Sequence, residues 1–375
     1  MRSALVLVVA TACSFHGPGL VPDGPTPDGP TADGPLCIGS ACRRIALTVH
    51  HEKVTGGPHA RFPLLVALAD PDLVTSAAAN GFDLTFVDAS FAPLSYEREQ
   101  FANGGLLAWV ALPALRGDVD TTVYLYYGDR SATVDHQDAA NVWDAGYQGV
   151  WHLAQMVGGT NAVLDSTAHA SHATDEGGPV LGAPGAIGRG VAFDGVDDRL
   201  HVTQHAALDT ATATGTLSMW VQWILSGSGA AQRLLMSSNT FAGDLSGMEW
   251  ATNGVGDYYY YYPANAGAAS DYDGVARPFT DGVWHHLVLT QDFASKMVVF
   301  YVDGAPLTLG HEGVSTTWTQ PAGPGDWFWG GAPTRSRFGG TMDEIRVSSV
   351  LRTPGWIATE FANQRDPTTF VTATP

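Results

Sequence analysis

The chain has 375 residues, with 44 glycines, 22 prolines and a 10% share of aromatic residues, a length that suffices for two domains with sizeable cores. Asp and Glu number 37 against 18 Lys and Arg, so the formal net charge is −19. This balance argues against nucleic acid or an anionic membrane surface as the partner, because both carry negative charge themselves. It suits a solvated extracellular protein, or one that gathers divalent cations.

The N-terminus resembles the export signal of bacterial lipoproteins. Arg2 precedes a short apolar stretch that ends in the run ATAC, whose Cys13 is the residue acylated in that class. Ala10 departs from the large aliphatic residue that is usual three positions before the cysteine. We predict a signal peptide over 1–13, with Cys13 lipidated and the protein anchored to the bacterial envelope or cell surface; plain secretion is the alternative. No later stretch has the ~20 apolar residues of a membrane span, so the lipid is the expected membrane contact.

Residues 14–36 predict a linker. The tripeptide Asp-Gly-Pro recurs there every five residues, starting at Asp23, Asp28 and Asp33. Proline fixes φ, glycine adds freedom, and the few apolar residues are too sparse to form a core, so we expect an extended tether. Cys37 and Cys42 follow it. In an exported protein two cysteines this close predict a small disulfide loop, whereas a zinc site needs about four ligands.

Residues 37–143 predict a small β-sandwich, because short apolar or alternating runs recur with turn residues between them. The predicted strands are 44–50, 62–69, 82–88, 93–100, 107–112 and 122–128. The motifs FPLLV, GFDLTFVD, LSYERE, AWVALPAL and VYLYYG, in this order, resemble the bacterial domain of unknown function 2341 over 62–139. That family has no assigned activity and often accompanies laminin-G-like domains in exported proteins. The resemblance therefore implies a fold and a type of neighbouring domain, without an activity.

Two glutamates of this region are candidate acid–base groups. Glu97 and Glu99 are two residues apart on a predicted strand, so they would share one face about 7 Å apart. They could form a carboxylate pair, but the pattern favours a solvated strand face with Arg98 on the opposite side.

The second half of the chain, 144–375, is organised around the stretch GRGVAFDGVDDRLHV at 188–202. Its alternation predicts two strands joined at Asp194-Gly195, a hairpin signal, and 338–347 is the predicted partner. The motifs FDGVDD, DGVWHHLVLT, VVFYVDG and GTMDEIRV, in this order, resemble the laminin-G-like jelly-roll domains of the concanavalin A-like superfamily over about 149–362. The expected fold is therefore all-β: a small β-sandwich followed by a concanavalin A-like jelly roll.

The resemblance also implies a structural calcium site. In such jelly rolls one calcium often sits where an early loop meets the last long strand, and hard cations take carboxylate oxygens. The matching positions are Asp343 and, on the early side, Asp165, Asp194 and Asp198. The alternative is that Asp194 and Asp198 only build the turn.

Exposed aromatic rings could bind sugars, which stack on them while polar groups hold the hydroxyls. The candidate ligand-binding residues are Tyr259, Tyr261, Trp318, Trp327 and Trp329. The alternative for each ring is packing in the core.

Catalytic motifs are missing from the sequence. We find neither E-x-D-x-E nor E-x-D-x-x-E of family 16 glycoside hydrolases, no G-x-S-x-G and no H-E-x-x-H. The expected function is a non-catalytic surface protein whose jelly roll binds carbohydrate or another surface macromolecule, stabilised by calcium. A structural or adhesive envelope protein without a defined ligand is the first alternative, and a divergent glycoside hydrolase is the second.

Overall fold

The computed structural model describes residues 35, 37–203, 205–211, 214–224, 232–238, 248–252, 259–262, 272–274, 282–292, 294–295, 297–307, 309–312, 325–331, 333 and 337–374. Cys13, Trp318, the signal peptide and all of the linker except residue 35 lie outside these residues. Among the described residues, no helix combines the length and apolar character needed to cross a membrane.

Strands dominate the structure. They are β1 (Arg43–Val49), β2 (His59–Ala69), β3 (Thr85–Asp88), β4 (Tyr96–Ala102), β5 (Gly105–Leu115), β6 (Thr121–Tyr127), β7 (Tyr147–Trp151), β8 (Thr174–Glu176), β9 (Val180–Pro184), β10 (Arg189–Asp194), β11 (Arg199–Val202), β12 (Thr214–Trp223), β13 (Gln232–Ser238), β14 (Met248–Thr252), β15 (Tyr259–Tyr262), β16 (Tyr272–Gly274), β17 (Trp284–Asp292), β18 (Met297–Val302), β19 (Ala305–Pro306), β20 (Leu309–Glu312), β21 (Asp326–Trp329), β22 (Gly339–Ser348) and β23 (Val371–Thr374). The helices are α1 (Pro71–Ser76), α2 (Ala206–Ala211), α3 (Pro354–Arg365) and α4 (Pro367–Phe370), with 3-10 turns at His51–Lys53 and Ala139–Asn141.

The first sandwich packs two antiparallel sheets face to face. One has the order β23-β1-β6-β3 and the other the order β2-β5-β4. Their inward side chains alternate along each strand, as in β1, where Ile45, Leu47 and Val49 are buried. The strands fall close to the predicted ranges because this alternation is visible in the sequence.

The C-terminal residues complete the first sandwich. β23 pairs with β1 in antiparallel register, and Trp356, Phe370 and Val371 lie in the same core as the β1 residues. The expected assignment of all of 144–375 to the jelly roll therefore needs correction at its end. Residues 35–375 form one compact unit.

The second half is a jelly roll of two larger sheets. One has the order β19-β18-β17-β12-β22-β10-β9, with β7 also pairing with β22; the other has the order β20-β16-β15-β14-β13-β21-β11-β8. A single apolar core lies between them. The predicted pairing of 338–347 with the strand before Asp194 is confirmed, since Val191 lies opposite Met342.

The predicted hairpin at Asp194-Gly195 is wrong in its pairing. β10 and β11 are joined by this tight turn, where Gly195 has φ +76. However, β10 pairs with β22 and β9, whereas β11 pairs with β21 and β8 in the opposite sheet. The turn therefore carries the chain from one sheet to the other, and a sequence signal for a tight turn does not distinguish the two cases.

The predicted disulfide is confirmed. Cys37 and Cys42 are bonded, and Ile38 and Ala41 form a small bridge within the loop that they close. Ala41 of this loop packs against Val87 of β3 and Tyr126 of β6 in the first sandwich.

Candidate functional site

The densest set of ionisable side chains in the described residues lies where the first sandwich meets the jelly roll. We call it the interface cluster, and its members are Glu97, Glu99, His152, Asp343, Glu344, Arg346 and Glu360. Five carboxyl groups therefore face two cationic side chains. All are largely withdrawn from solvent, and the most exposed, Glu97, has a side-chain exposure of 14%.

Two strand irregularities aim these side chains at each other. In β22 the register with β12 shifts, so that Arg346 lies opposite Ser218 but Asp343 lies opposite Trp220. The extra residue makes a bulge, and within it Glu344 has a positive φ of 51, which is uncommon for a residue other than glycine. In β4 a second register shift falls at Glu99. Bulges re-aim side chains, which is why these carboxylates turn toward the interface.

Arg346 is the central cation. It donates from Nη2 to Glu344 Oε2 at 2.8 Å and from Nη1 to Glu360 Oε1 at 2.7 Å. Its guanidinium carbon lies 4.3 Å from the ring centre of Trp109 and 4.9 Å from that of Trp143. The cation is thus held between two carboxylates and between two indoles, a setting that suits a planar, weakly hydrated guanidinium.

His152 bridges the two halves. Its Nδ1 lies 2.7 Å from Glu344 Oε1 and its Nε2 lies 3.2 Å from Glu97 Oε2. Burial alone would lower the pKa of His152, but the carboxylates of Glu344 and Glu97 raise it well above its ordinary value. The ring therefore carries a proton on both nitrogens and donates to a carboxylate of each half.

The remaining carboxyl groups favour the protonated form. Burial, together with the charge of Glu344, raises the pKa of Glu99 to about 8. The same two causes raise the pKa of Asp343 well above its usual range. Glu99 accepts from Trp109 Nε1 at 3.1 Å, and Asp343 accepts from the Ile187 amide at 2.8 Å. The raised pKa values of Glu99 and Asp343 thus limit the negative charge that the cluster holds.

The expectation of a solvated face for Glu97 and Glu99 is wrong. Glu97 accepts from Trp143 Nε1 at 3.1 Å and from Ser166 Oγ at 2.6 Å, and Glu99 Oε2 lies 3.9 Å from His152 Nδ1, so both glutamates of β4 face the second half. Arg98 lies on the other side as predicted, where it pairs with Asp135 at 2.8 Å. An alternating polar face has the same sequence pattern whether water or another domain covers it.

The predicted calcium ligands do not converge on one point. Asp165 is buried and its carboxylate accepts from the amides of Val150, Thr167 and Ser171, so it organises its own loop. Asp343 belongs to the interface cluster. A four-carboxylate site of Asp343, Asp165, Asp194 and Asp198 is therefore not formed.

Asp194 and Asp198 do lie together, and Asp197 joins them. Ligand atoms from these three side chains lie within 4.8 Å of one another. Asp194 Oδ1 accepts from the Val196 amide at 2.7 Å, and Asp198 Oδ2 accepts from the Asp194 amide at 2.8 Å. The first of these bonds is the one expected of an Asx turn, and the second closes the turn from its far end, so part of the set serves the turn itself.

The aromatic residues predicted to bind sugars lie in different parts of the jelly roll. Trp327 and Trp329 lie in the jelly-roll core with exposures of 0% and 1%, which corrects their expected role as sugar-stacking rings. Tyr259 and Tyr261 lie in β15, where Tyr261 is the register partner of Trp250 in β14. Trp250 is itself part of the buried core.

Comparison with known proteins bears on the jelly-roll half. Residues 194–358 match the family model of the concanavalin A-like lectin/glucanases superfamily. The fold is accordingly an all-β arrangement with a concanavalin A-like domain. No curated protein sequence matches the chain.

Among solved structures, a Trypanosoma rangeli sialidase is similar at a TM-score of 0.45 and 19% identity, over 69% of this chain and 42% of that chain. The binding domain of botulinum neurotoxin DC in complex with SialylT is similar at a TM-score of 0.43 and 11% identity, over 59% of this chain and 52% of that chain. The matched regions span about half or less of those proteins, so no activity is carried over from them.

Proposed function

We propose that this chain is an exported, non-catalytic surface protein whose jelly-roll half binds carbohydrate. The observation that carries the proposal is the match of 194–358 to a superfamily of lectins and glucanases. The acidic net charge of −19 and the Cys37–Cys42 disulfide support placement outside the cytoplasm.

The buried state of the interface cluster favours binding over hydrolysis. Glycoside hydrolases hold two carboxyl groups on either side of an open cleft. Glu97, Glu99 and Glu344 instead contact indole, imidazole or guanidinium groups inside the molecule. Their role in this proposal is to join the two halves.

The strand β15 is the proposed sugar-stacking position. Opposed residues of an antiparallel pair share a face of the sheet, and successive residues alternate between faces. In the register of β15 with β14, Tyr261 lies opposite Trp250, which is buried, whereas Tyr260 and Tyr262 lie opposite Ala251 and Glu249. We propose Tyr260 and Tyr262 as the stacking residues, because their register positions alternate with that of the partner of Trp250.

A structural calcium belongs to the same proposal. Its proposed ligands are the carboxylates of Asp194, Asp197 and Asp198, because hard cations prefer oxygen donors and these atoms are already close together. The calcium is assigned a role in holding the turn between the two sheets.

A glycan-binding screen of residues 35–375 tests the proposal, run once with calcium and once with a chelator. We expect binding that falls strongly in Tyr260→Ala and Tyr262→Ala. Tyr260→Phe is the matched control, because it keeps the ring and should keep most of the binding. The whole unit is used because β23 and α3 belong to the first sandwich.

The alternative of an adhesive envelope protein is favoured by one observation, the buried ion pairs that join the two halves through His152. No glycan binding in either buffer, with an unchanged melting temperature, would contradict both the lectin and the calcium proposals and leave this alternative. Release of reducing sugar from a bound glycan would instead establish a hydrolase.

A further inference from the structure

A second group of chemically distinctive side chains lies on the first sandwich, at the end of β1. His50, His51 and Glu52 follow β1 directly, Asp120 precedes β6, and Thr372 comes from β23. The pairing of β1 with β6 and with β23 brings these three parts of the chain together. The side chains are partly exposed, so the group is open to solvent.

One imidazole nitrogen of His50 faces two carboxylates. Its Nε2 lies 2.9 Å from Thr372 Oγ1, a hydrogen bond that fixes the ring. Its Nδ1 lies 3.9 Å from Glu52 Oε1 and 3.9 Å from Asp120 Oδ2, in each case too far for a hydrogen bond. His50 Nδ1 and two carboxylate oxygens thus face a common point without bonding one another.

The carboxylate of Asp120 is also held in place. Its Oδ1 accepts from the His51 amide at 3.0 Å and lies 2.6 Å from His51 Nδ1. These contacts occupy Oδ1 and leave Oδ2 toward His50. Ligand-bearing side chains oriented by a second hydrogen-bonding partner are typical of metal sites, where such partners fix the ring and the carboxylate.

Among the ion pairs of the described part of the chain, neither Glu52 nor Asp120 is paired with an arginine or lysine. The neighbouring Asp118 differs, because it accepts from Arg116 Nε at 2.8 Å. The protein cation beside these two carboxylates is therefore His51, whose Nδ1 lies 2.6 Å from Asp120 Oδ1 and 3.8 Å from Glu52 Oε2.

We propose that His50 Nδ1, Glu52 and Asp120 Oδ2 bind a zinc ion, with solvent in the fourth position and with His51 and Thr372 as positioning residues. One ligand atom from each of His50, Glu52 and Asp120 already lies within 4.8 Å of the others. Tetrahedral ligands at zinc distances are separated by about 3.4 Å, so each carboxylate oxygen needs to move about half an ångström closer to His50 Nδ1, and the two carboxylate oxygens need to approach each other by at most about 1.4 Å. A mixed imidazole and carboxylate set suits zinc, whereas calcium and magnesium prefer oxygen alone.

Zinc titration of residues 35–375 tests this proposal, followed by calorimetry and by competition with a chromophoric zinc indicator. We expect saturable binding of one zinc ion that Asp120→Asn and His50→Gln each weaken by about tenfold or more. Asp118→Asn is the matched control: it removes the same charge two residues away and should change the affinity by about twofold at most. Because the ion binds only the folded state, zinc should also raise the melting temperature of the unaltered protein but not of Asp120→Asn.

Three results would overturn the proposal. The first is the absence of saturable binding at this stoichiometry. The second is an equal loss of zinc affinity in Asp118→Asn and Asp120→Asn, which would mean that zinc responds to the general negative charge of this surface and is not bound by Asp120 itself. The third is displacement of zinc by millimolar calcium, which would mean a site of oxygen ligands without His50. The jelly-roll half is not involved, so the outcome is independent of the proposed carbohydrate binding.

Discussion

Replacing Arg346 with methionine should destabilise the folded chain by about 3–5 kcal/mol, the range for removal of one partner from a buried ion pair. Methionine is long and flexible enough to occupy the space between Trp109 and Trp143, so the cost of an empty cavity stays small. The loss comes from Glu344 and Glu360, whose carboxylates remain in the interface after their shared cation is removed. Loss of contact with the two indoles adds to it.

The magnitude can be checked by urea unfolding of residues 35–375, followed by tryptophan fluorescence and by far-ultraviolet circular dichroism. The control is Arg116→Met, which breaks an exposed ion pair with Asp118 and should cost at most about 1 kcal/mol. Adding Glu360→Gln to Arg346→Met should recover part of the loss, because one uncompensated charge is then gone. A free energy of unfolding for Arg346→Met within about 1 kcal/mol of the control would refute this account of the cluster.

Two further predictions concern the buried carboxyl groups of Glu99 and Asp165. The raised pKa of Glu99, about 8 against 4.5 for the free side chain, means that the folded chain gains stability from its proton below pH 4.5 and loses that gain by about pH 8. Urea midpoints for Glu99→Gln should therefore fall less between pH 5 and pH 8 than those of the unaltered protein, and parallel curves would contradict the assignment. Asp165→Ala should cost at least about 2 kcal/mol, because the buried amides that it accepts from lose their acceptor. Asp118→Ala, which removes one partner of an exposed ion pair, is the control, and equal melting temperatures for the two variants would show that the Asp165 contacts are dispensable.

The strands could be predicted because alternation of apolar residues is a local property. The range of β1 and the pairing of β10 with β22 both agree with the sequence interpretation. The crossing from one sheet to the other at Asp194-Gly195 could not be predicted, because the same turn chemistry serves hairpins and sheet-to-sheet connections. The range of β11 was visible in the sequence, but its partner strands β21 and β8 were not.

The interface cluster could not be predicted from the sequence for a related reason. The side chains of Glu97 and Glu99 have the pattern of a water-facing strand, and what covers them comes from β22 and His152, far along the chain. The bulge at Glu344 depends on the register with β12, which no local pattern reports. Similarly, the composition of Asp326–Trp329 is the same whether its indoles are exposed or, as here, buried.

Helix α3 joins the two halves through side-chain bonds to β2, β12 and β22, the last of them between Glu360 and Arg346. Thr353 accepts from the Trp356 amide at 3.2 Å at its start, and Pro354 opens its first turn. Further along, Asn363 bonds both the amide and the carbonyl of Leu65 in the edge strand β2. Gln364 accepts from Trp220 Nε1 of β12 at 2.6 Å.

This arrangement constrains the order in which a growing chain can fold. A polypeptide made from its N-terminus presents β1 to β6 first, but the edge of β1 and the exposed backbone of β2 stay uncovered until α3 and β23 have been synthesised. The jelly roll can collapse in the meantime, since its core draws on none of those later residues. The sandwich that comes first in the sequence is therefore finished last. While the chain is being synthesised, its open strand edges are the surface that a chaperone would need to shield from pairing with other chains.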